Sequence, residues 1–419
     1  MNKRAARPKR SRSVPKRAES RGQTKAWRAA EDRYALMQAE AMVPFFGTRP
    51  TRDEQIGRLE EIVRGCPTFY PAIFHLGTLQ AISGRPDEGR RLLLEGADRM
   101  AEREPSLPEG IDEGGLIDNL TGNLCYDLAR DLLERLLEHY PSEAWFHAEL
   151  GHVLVVLGEP DEAVRRFERA VELEPEDGRL HGNLGWACLA AGRLDEAKTH
   201  LERSLGLAPQ DEVAHTNLQV LRFLQRKGGT FEDYLLRPLD RKALDRLERK
   251  AHEEGDFEEL DEVARDWSYG RLEAWKWELC RRREPPDYAE VFKSIRAFFQ
   301  FFEGISQDSY LLYEDLGLVA GRFERVMHKL IFRMADADAE ILGEIFSGLL
   351  SFYGFLCEHG LVDEDDLAEF RSEVSSARRG LVEKAERYAE IRHDDSIDEE
   401  EKEEIRQELF QGDHEWPVL

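Results

Sequence analysis

Apolar positions recur along most of this chain at three- and four-residue spacing, the signature of amphipathic helices, and no segment alternates in the two-residue rhythm of a strand. The pattern also repeats at longer range. Residues 146–177, FHAELGHVLVVLGEPDEAVRRFERAVELEPED, nearly superimpose on residues 180–211, LHGNLGWACLAAGRLDEAKTHLERSLGLAPQD. Leu150 recurs as Leu184, Gly151 as Gly185, Gly158 as Gly192, and Asp161-Glu162-Ala163 as Asp195-Glu196-Ala197. Phe167 recurs as Leu201, Ala170 as Ser204 and Pro175 as Pro209, every step being 34 residues. Each copy predicts two helices with a glycine at the bend and a proline that starts the next copy. Gly151 and Ala163 fall where the two helices cross, and a larger side chain there would separate the backbones.

Weaker copies flank these two. Upstream, Leu76-Gly77, Gly84 and Asp87-Glu88-Gly89 keep the register once six extra residues are assigned to a loop at 104–109. Residues 125–141 supply another second helix with Ala129, Leu133 and Pro141 in place, and residues 56–67 one more. Downstream, residues 212–225 supply a first helix carrying Leu218 but no glycine. One such unit cannot cover its own apolar side, whereas three or more stacked units share a continuous core. The expected fold is therefore all-α: a solenoid of about five helical hairpins over residues 27–227, then an all-helical domain over 231–419, with Gly228-Gly229 as the break.

These positions resemble the tetratricopeptide repeat, a 34-residue hairpin marked by Leu-Gly, Ala, an aromatic and Pro. One consensus position departs: His147 and His181 stand where the family usually has Trp. The resemblance implies that the first helix of each unit lines a concave groove. Carried onto this chain, the groove would present Trp145, His152, Val155 and Val156, then Trp186 and Leu189, then Val220 and Phe223, with Ala148, Arg179, Gly182, Val213 and Thr216 beside them. The cation and Asn set with which family members clamp a peptide carboxylate is missing. Two occupants suit such an apolar groove: a partner's amphipathic helix or extended peptide, or the chain's own later helices. The family's usual role makes the expected function that of a non-enzymatic scaffold or adaptor whose partner is another protein.

The second half resembles no family. Residues 241–267 read as two helices hinged at Gly255; Phe292, Phe298, Phe299, Phe301 and Phe302 mark a helix starting at Pro286-Asp287. Further helices are expected near 307–333, 336–358, 363–390 and 397–410, with Asp336 and Asp338 at a helix start. The phenylalanines read as core.

Charge adds two features. The 419 residues carry a net charge of -26, which disfavours polyanions overall. Residues 1–26 hold ten Lys or Arg against Glu19 and almost nothing apolar, so they read as a disordered basic tail. Nucleic acid is expected as a partner only through that tail, the second functional reading. At the other end, residues 394–404 contain eight acids. No apolar run reaches the ~18 residues of a membrane span, so no membrane is expected. The five cysteines are scattered without a C-x-x-C pair, and a cytoplasmic location is expected.

Candidate chemistry is thin. No phosphate-binding loop, dinucleotide fingerprint or nucleophile elbow occurs. Glu324 and His328 lie one helical turn apart and would begin a metal site, the basis of a third reading as a metal-dependent hydrolase, but no second pair completes it. No catalytic residue, cofactor or metal is assigned.

Overall fold

The computed structural model describes residues 21–42, 50–107, 115–284, 287–306, 311–333, 338–392 and 394–414. Among them there are nineteen helices and no strand. The chain divides into two compact units: residues 1–188 with 195–217, and 189–194 with 218–419. The division thus falls ahead of the expected break, although Gly228 and Gly229 do end a helix with φ of +78° and +94°.

The first half runs α1 (Arg21–Met42), α2 (Arg52–Gly65), α3 (Tyr70–Ile82), α4 (Pro86–Arg103), α5 (Leu116–Gly122), α6 (Tyr126–His139), α7 (Ala144–Val156), α8 (Pro160–Leu173), α9 (Gly178–Ala190), α10 (Leu194–Leu207) and α11 (Glu212–Lys227). α1 begins at Arg21, so the last six residues of the segment read as disordered are helical; residues 1–20 lie outside the described residues. The repeat is literal at the level of helix ends. α7 and α9 each have 13 residues, α8 and α10 each have 14, and equivalent helices start 34 positions apart. α6 also has 14 residues and starts 34 before α8. The register shift upstream is not all loop. α4 is 18 residues long, so four of the six extra residues lengthen a helix.

Each hairpin turns through a left-handed residue: Gly84, Gly158 and Gly192 have φ of +75°, +83° and +71°. Leu124 occupies the same place between α5 and α6 with φ +56°, a conformation that costs a side-chain-bearing residue ~1–2 kcal/mol. Its side chain is buried, and that contact holds it there. Where the hairpin helices cross, a Cβ built on Gly151 would lie 2.6 Å from the Phe167 ring, and one on Gly185 2.6 Å from Leu201. The glycines are there because the larger residue opposite fills the space.

The histidines that replace the consensus aromatic have a job. His147 Nε2 is 3.1 Å from the Pro141 carbonyl, His181 Nε2 is 3.1 Å from that of Pro175, and His215 Nε2 is 3.0 Å from that of Pro209. In three successive repeats an imidazole N–H thus caps a carbonyl at the end of the preceding unit. Ion pairs join α4 to α6 as well: Arg90 to Asp127 at 2.8 Å and Arg135 to Asp98 at 2.7 Å.

The second half runs α12 (Phe231–Leu235), α13 (Arg241–Glu254), α14 (Glu258–Arg282), α15 (Tyr288–Ile305), α16 (Leu316–Arg333), α17 (Ala339–Glu358), α18 (Glu364–Arg392) and α19 (Glu399–Phe410). Gly255 caps α13 with φ +69°, as its hinge role required, whereas α14 continues well past Trp267. Phe292, Phe298, Phe299 and Phe302 are buried core and Phe301 is half-buried. Phe299 stacks on Tyr313 with centroids 4.0 Å apart. Asp338 caps α17 by accepting from the Glu340 and Ile341 amides; Asp336 lies outside the described residues. Arg271 is wholly buried, and its guanidinium donates to Glu314 at 2.6 Å and to the carbonyls of Leu235 and Arg237. It ties three segments that share no sequence pattern.

α17 departs from the expected absence of spanning segments: with mean hydropathy 1.3 over an 18-residue window it is long and apolar enough to cross a membrane. Half of that window is buried, and Leu342, Ile345, Phe346, Leu349, Phe352 and Leu356 are part of the packed interior.

Candidate functional site

Repeat geometry places equivalent side chains of successive first helices on one face. His152 of α7 and Trp186 of α9 are one 34-residue step apart, and their rings stack with centroids 5.4 Å apart at 27°. His152 is exposed and Trp186 half-buried. Trp145 is half-buried, leaning on Phe146 at 5.0 Å and donating from Nε1 to Glu149 at 3.0 Å. Arg179 and Val213, its equivalents one and two repeats on, are exposed, and Val213 keeps 52% of its surface in solvent. Arg179 is held by Asp177 at 2.8 Å, which raises the guanidinium further and holds the Asp177 carboxyl low against the opposing effect of burial. Gly182 and Ala148, small and buried, leave the face between the large residues open.

Four of the other five expected contact residues are not surface. Val155 is 2% exposed, Val156 0%, Leu189 0% and Val220 1%, so each is consumed by packing. Phe223 is half-buried, with Tyr234 of α12 set edge-on to it at 5.3 Å. There a later segment of the chain covers part of the aromatic. The open face therefore comprises Trp145, His152 and Trp186 with Arg179, Val213 and Thr216.

Sequence reasoning missed a second concavity. A cleft of about 610 Å³ lies between α1, the segment Phe69-Tyr70-Pro71 and the end of α4. Trp27 packs edge-on against Phe69 at 4.8 Å, Tyr34 lies 5.7 Å from the same ring, and the Arg103 guanidinium sits 3.5 Å over Trp27. Burial pushes the hydroxyls of Tyr34 and Tyr70 up to about 12, with Glu104 and Glu31 adding to the effect on Tyr70. Trp27, Ala30, Tyr34 and Met37 recur at helical spacing, a signal masked by the basic composition just ahead of them.

The Glu324–His328 pair is not a metal site. Glu324 is 3.7 Å from His328 Nε2, but Lys384 Nζ lies closer to that atom at 2.7 Å and Asp413 takes Nδ1 at 3.3 Å. Among the described residues no group of three or more His, Cys, Asp or Glu could hold a metal ion. The basic segment that would contact nucleic acid is, for residues 1–20, outside the described residues.

Residues 148–212 match the tetratricopeptide repeat family. The chain carries tetratricopeptide repeats. Solved structures resembling it include MamA, 20% identical over 38% of this chain and 90% of that one, with a TM-score of 0.28. MamA from residue 41 onward from Desulfovibrio magneticus RS-1 is 19% identical over 44% and 97%, with a TM-score of 0.29. YrrB, described as a TPR protein with an unusual peptide-binding site, is 14% identical over 46% and 90%, with a TM-score of 0.32. Superpositions this partial carry no argument about the tetratricopeptide array, which rests on its own residues. No curated protein matches the chain.

Proposed function

We propose that this protein is a non-enzymatic adaptor in the cytoplasm that binds a peptide or helix of a partner protein through the open face of α7 and α9. Repeat arrays of this kind are protein-interaction scaffolds in general, because each unit adds a helix to one continuous surface. The observation that carries the finer reading is the His152–Trp186 stack. It is an aromatic ledge built across two repeats and exposed at its His152 end. Tryptophan and other aromatics dominate binding hot spots, since they bury a large area at small entropic cost. The carboxylate clamp being missing, the ligand is recognised along its length by apolar contacts rather than by its terminus.

Trp145→Ala and Trp186→Ala test the reading. Both should weaken retention of the protein partners bound by the wild-type full chain by at least tenfold, while backbone hydrogen exchange in α7–α10 stays as in wild type. Retention that survives both substitutions, or exchange that accelerates throughout α7–α10, would show that the two indoles serve packing and not binding.

A further inference from the structure

His328 on α16 is a buried ionisable group outside the repeats that meets charged side chains from two other segments. Its side chain is 5% exposed, and it lies between α18 and the terminal turn that follows α19. Lys384 Nζ is 2.7 Å from Nε2. An ammonium has only protons to offer, so Nε2 must be the bare, accepting nitrogen. The ring proton is then on Nδ1, facing Asp413 Oδ2 at 3.3 Å. Asp413 is tethered twice more to α16, by Arg325 Nε at 2.7 Å and through its carbonyl by Lys329 Nζ at 3.2 Å. Beside these contacts, Phe410 at the end of α19 packs on Tyr388 and Phe332 with centroids 5.2 and 5.9 Å apart.

We propose that α19 and the turn at 411–414 form an acid-released clasp: they bury neutral His328 between Lys384 and Asp413, and protonating the ring sets two cations side by side in a buried site that water reaches only when the segment lifts. A second ring proton would put an N–H on Nε2, pointed at an ammonium already 2.7 Å away. Neither partner can accept it. Opposing this, Glu324 at 3.7 Å and Asp413 attract the imidazolium. The ionisable groups around the ring are Glu324, Arg325 and Lys329 on α16, Lys384 on α18 and Asp413 in the turn, with the Glu403–His414 pair at 3.0 Å behind Phe332. Burial and Lys384 together hold the imidazole below its ordinary range, ahead of the pull from the carboxylates. A histidine depressed on folding takes its proton more readily when released. The stability it confers is therefore complete above the unfolded value of about 6.5 and is lost as pH falls through the lower folded value. Freeing α19 uncovers Tyr388 and Phe332, an apolar strip within the second unit.

The test is amide hydrogen exchange on the full chain between pH 7.5 and 5, corrected for intrinsic rates, with α17 as internal reference. Opening of α19 should rise by up to tenfold per pH unit as the pH falls below about 6.5 and level off below the folded value, while α17 stays protected. Lys384→Met removes the repelling ammonium but not the burial of the ring, leaves the imidazolium between Asp413 and Glu324, and should reduce the rise. His328→Asn cannot take the proton and should flatten it too; if that variant leaves α17 unprotected at pH 7.5, the lysine variant decides. An α19 equally protected at both ends of the range overturns the proposal. So does a rise of undiminished size in both Lys384→Met and His328→Asn, since carboxyl protonation would then be the cause.

Discussion

Gly89→Ala isolates what the helix crossing in the repeats demands. An alanine is better than glycine in a helix interior by ~0.5–1 kcal/mol, so on propensity alone the substitution should stabilise α4. The structure says otherwise. A Cβ on Gly89 would sit 2.7 Å from the Gly77 carbonyl oxygen, 2.8 Å from the Ala81 amide nitrogen and 2.8 Å from the Ala81 Cβ. Two of these atoms belong to the α3 backbone, which no rotamer change can move. The contact is mutual, since a Cβ on Gly77 would meet the Gly89 carbonyl at 3.1 Å. α3 and α4 must therefore part by several tenths of an ångström, loosening Leu92 and Leu93, both buried beside the crossing. Overpacking of this kind costs ~1–3 kcal/mol, with backbone clashes at the upper end. Subtracting the helix gain leaves ~1–2 kcal/mol of net destabilisation. Local hydrogen exchange in α3 and α4 should then accelerate about 5- to 30-fold. Gly206→Ala in α10 is the control, because nothing lies within 4 Å of its added carbon. It should gain the ~0.5–1 kcal/mol that propensity promises. If Gly89→Ala behaves like Gly206→Ala, the close crossing of α3 and α4 is wrong.

Three other outcomes are expected. Arg271→Met leaves the Glu314 carboxylate and two carbonyls without their buried donor, so the second unit should lose ~3–5 kcal/mol; the double change with Glu314→Leu should recover part of it in thermal unfolding. Leu124→Gly relieves the left-handed backbone but discards a buried side chain, so in urea unfolding it should cost ~1–2 kcal/mol less than Leu133→Ala, where the conformation is helical and nothing is relieved. Burial raises the Glu303 carboxyl, which accepts from the Tyr313 hydroxyl at 2.8 Å. The folded state thus holds that proton more tightly than the unfolded chain, and wild-type stability should fall as pH rises from about 4.5 through the raised value. Glu303→Gln should remove this fall, and an unchanged slope in denaturation midpoints against pH would refute the assignment.

What the sequence revealed follows from how locally each feature is determined. The two clear repeats were legible because a hairpin's own residues set its geometry: Gly158 and Gly192 make the turns, and Gly151 and Gly185 admit Phe167 and Leu201. The third turn escaped notice because Leu124 holds the left-handed place by burial rather than by lacking a side chain. The six extra residues were sought in a loop by composition, whereas a helix absorbs them at no cost in hydrogen bonding, and α4 took four. Exposure was the property least legible. Repeat register correctly places Val155, Leu189 and Phe223 at equivalent positions, yet two are buried and the third meets Tyr234. Whether a groove position stays open depends on which other segments come to it, and no 34-residue period encodes that.

The histidines show the same division between pattern and cause. Measured against the family pattern, His147 and His181 are departures, and pattern alone treats departures as erosion. Yet the same substitution at the same step, continued by His215 in a copy that has lost its glycine, is not what erosion produces. Each ring nitrogen meets the carbonyl of a proline six residues back, 3.0–3.1 Å away in all three copies. A proline leaves the chain unable to continue its helix and a carbonyl there in need of a donor. At that junction the imidazole both fills volume and donates. In the third repeat, where α11 lacks the crossing glycine, the imidazole–proline bond is the part of the motif that persists. Within this array the two marks survive in different copies: α3 keeps Leu76-Gly77 with Ile73 at the histidine position, and α11 keeps the histidine–proline junction without the glycine.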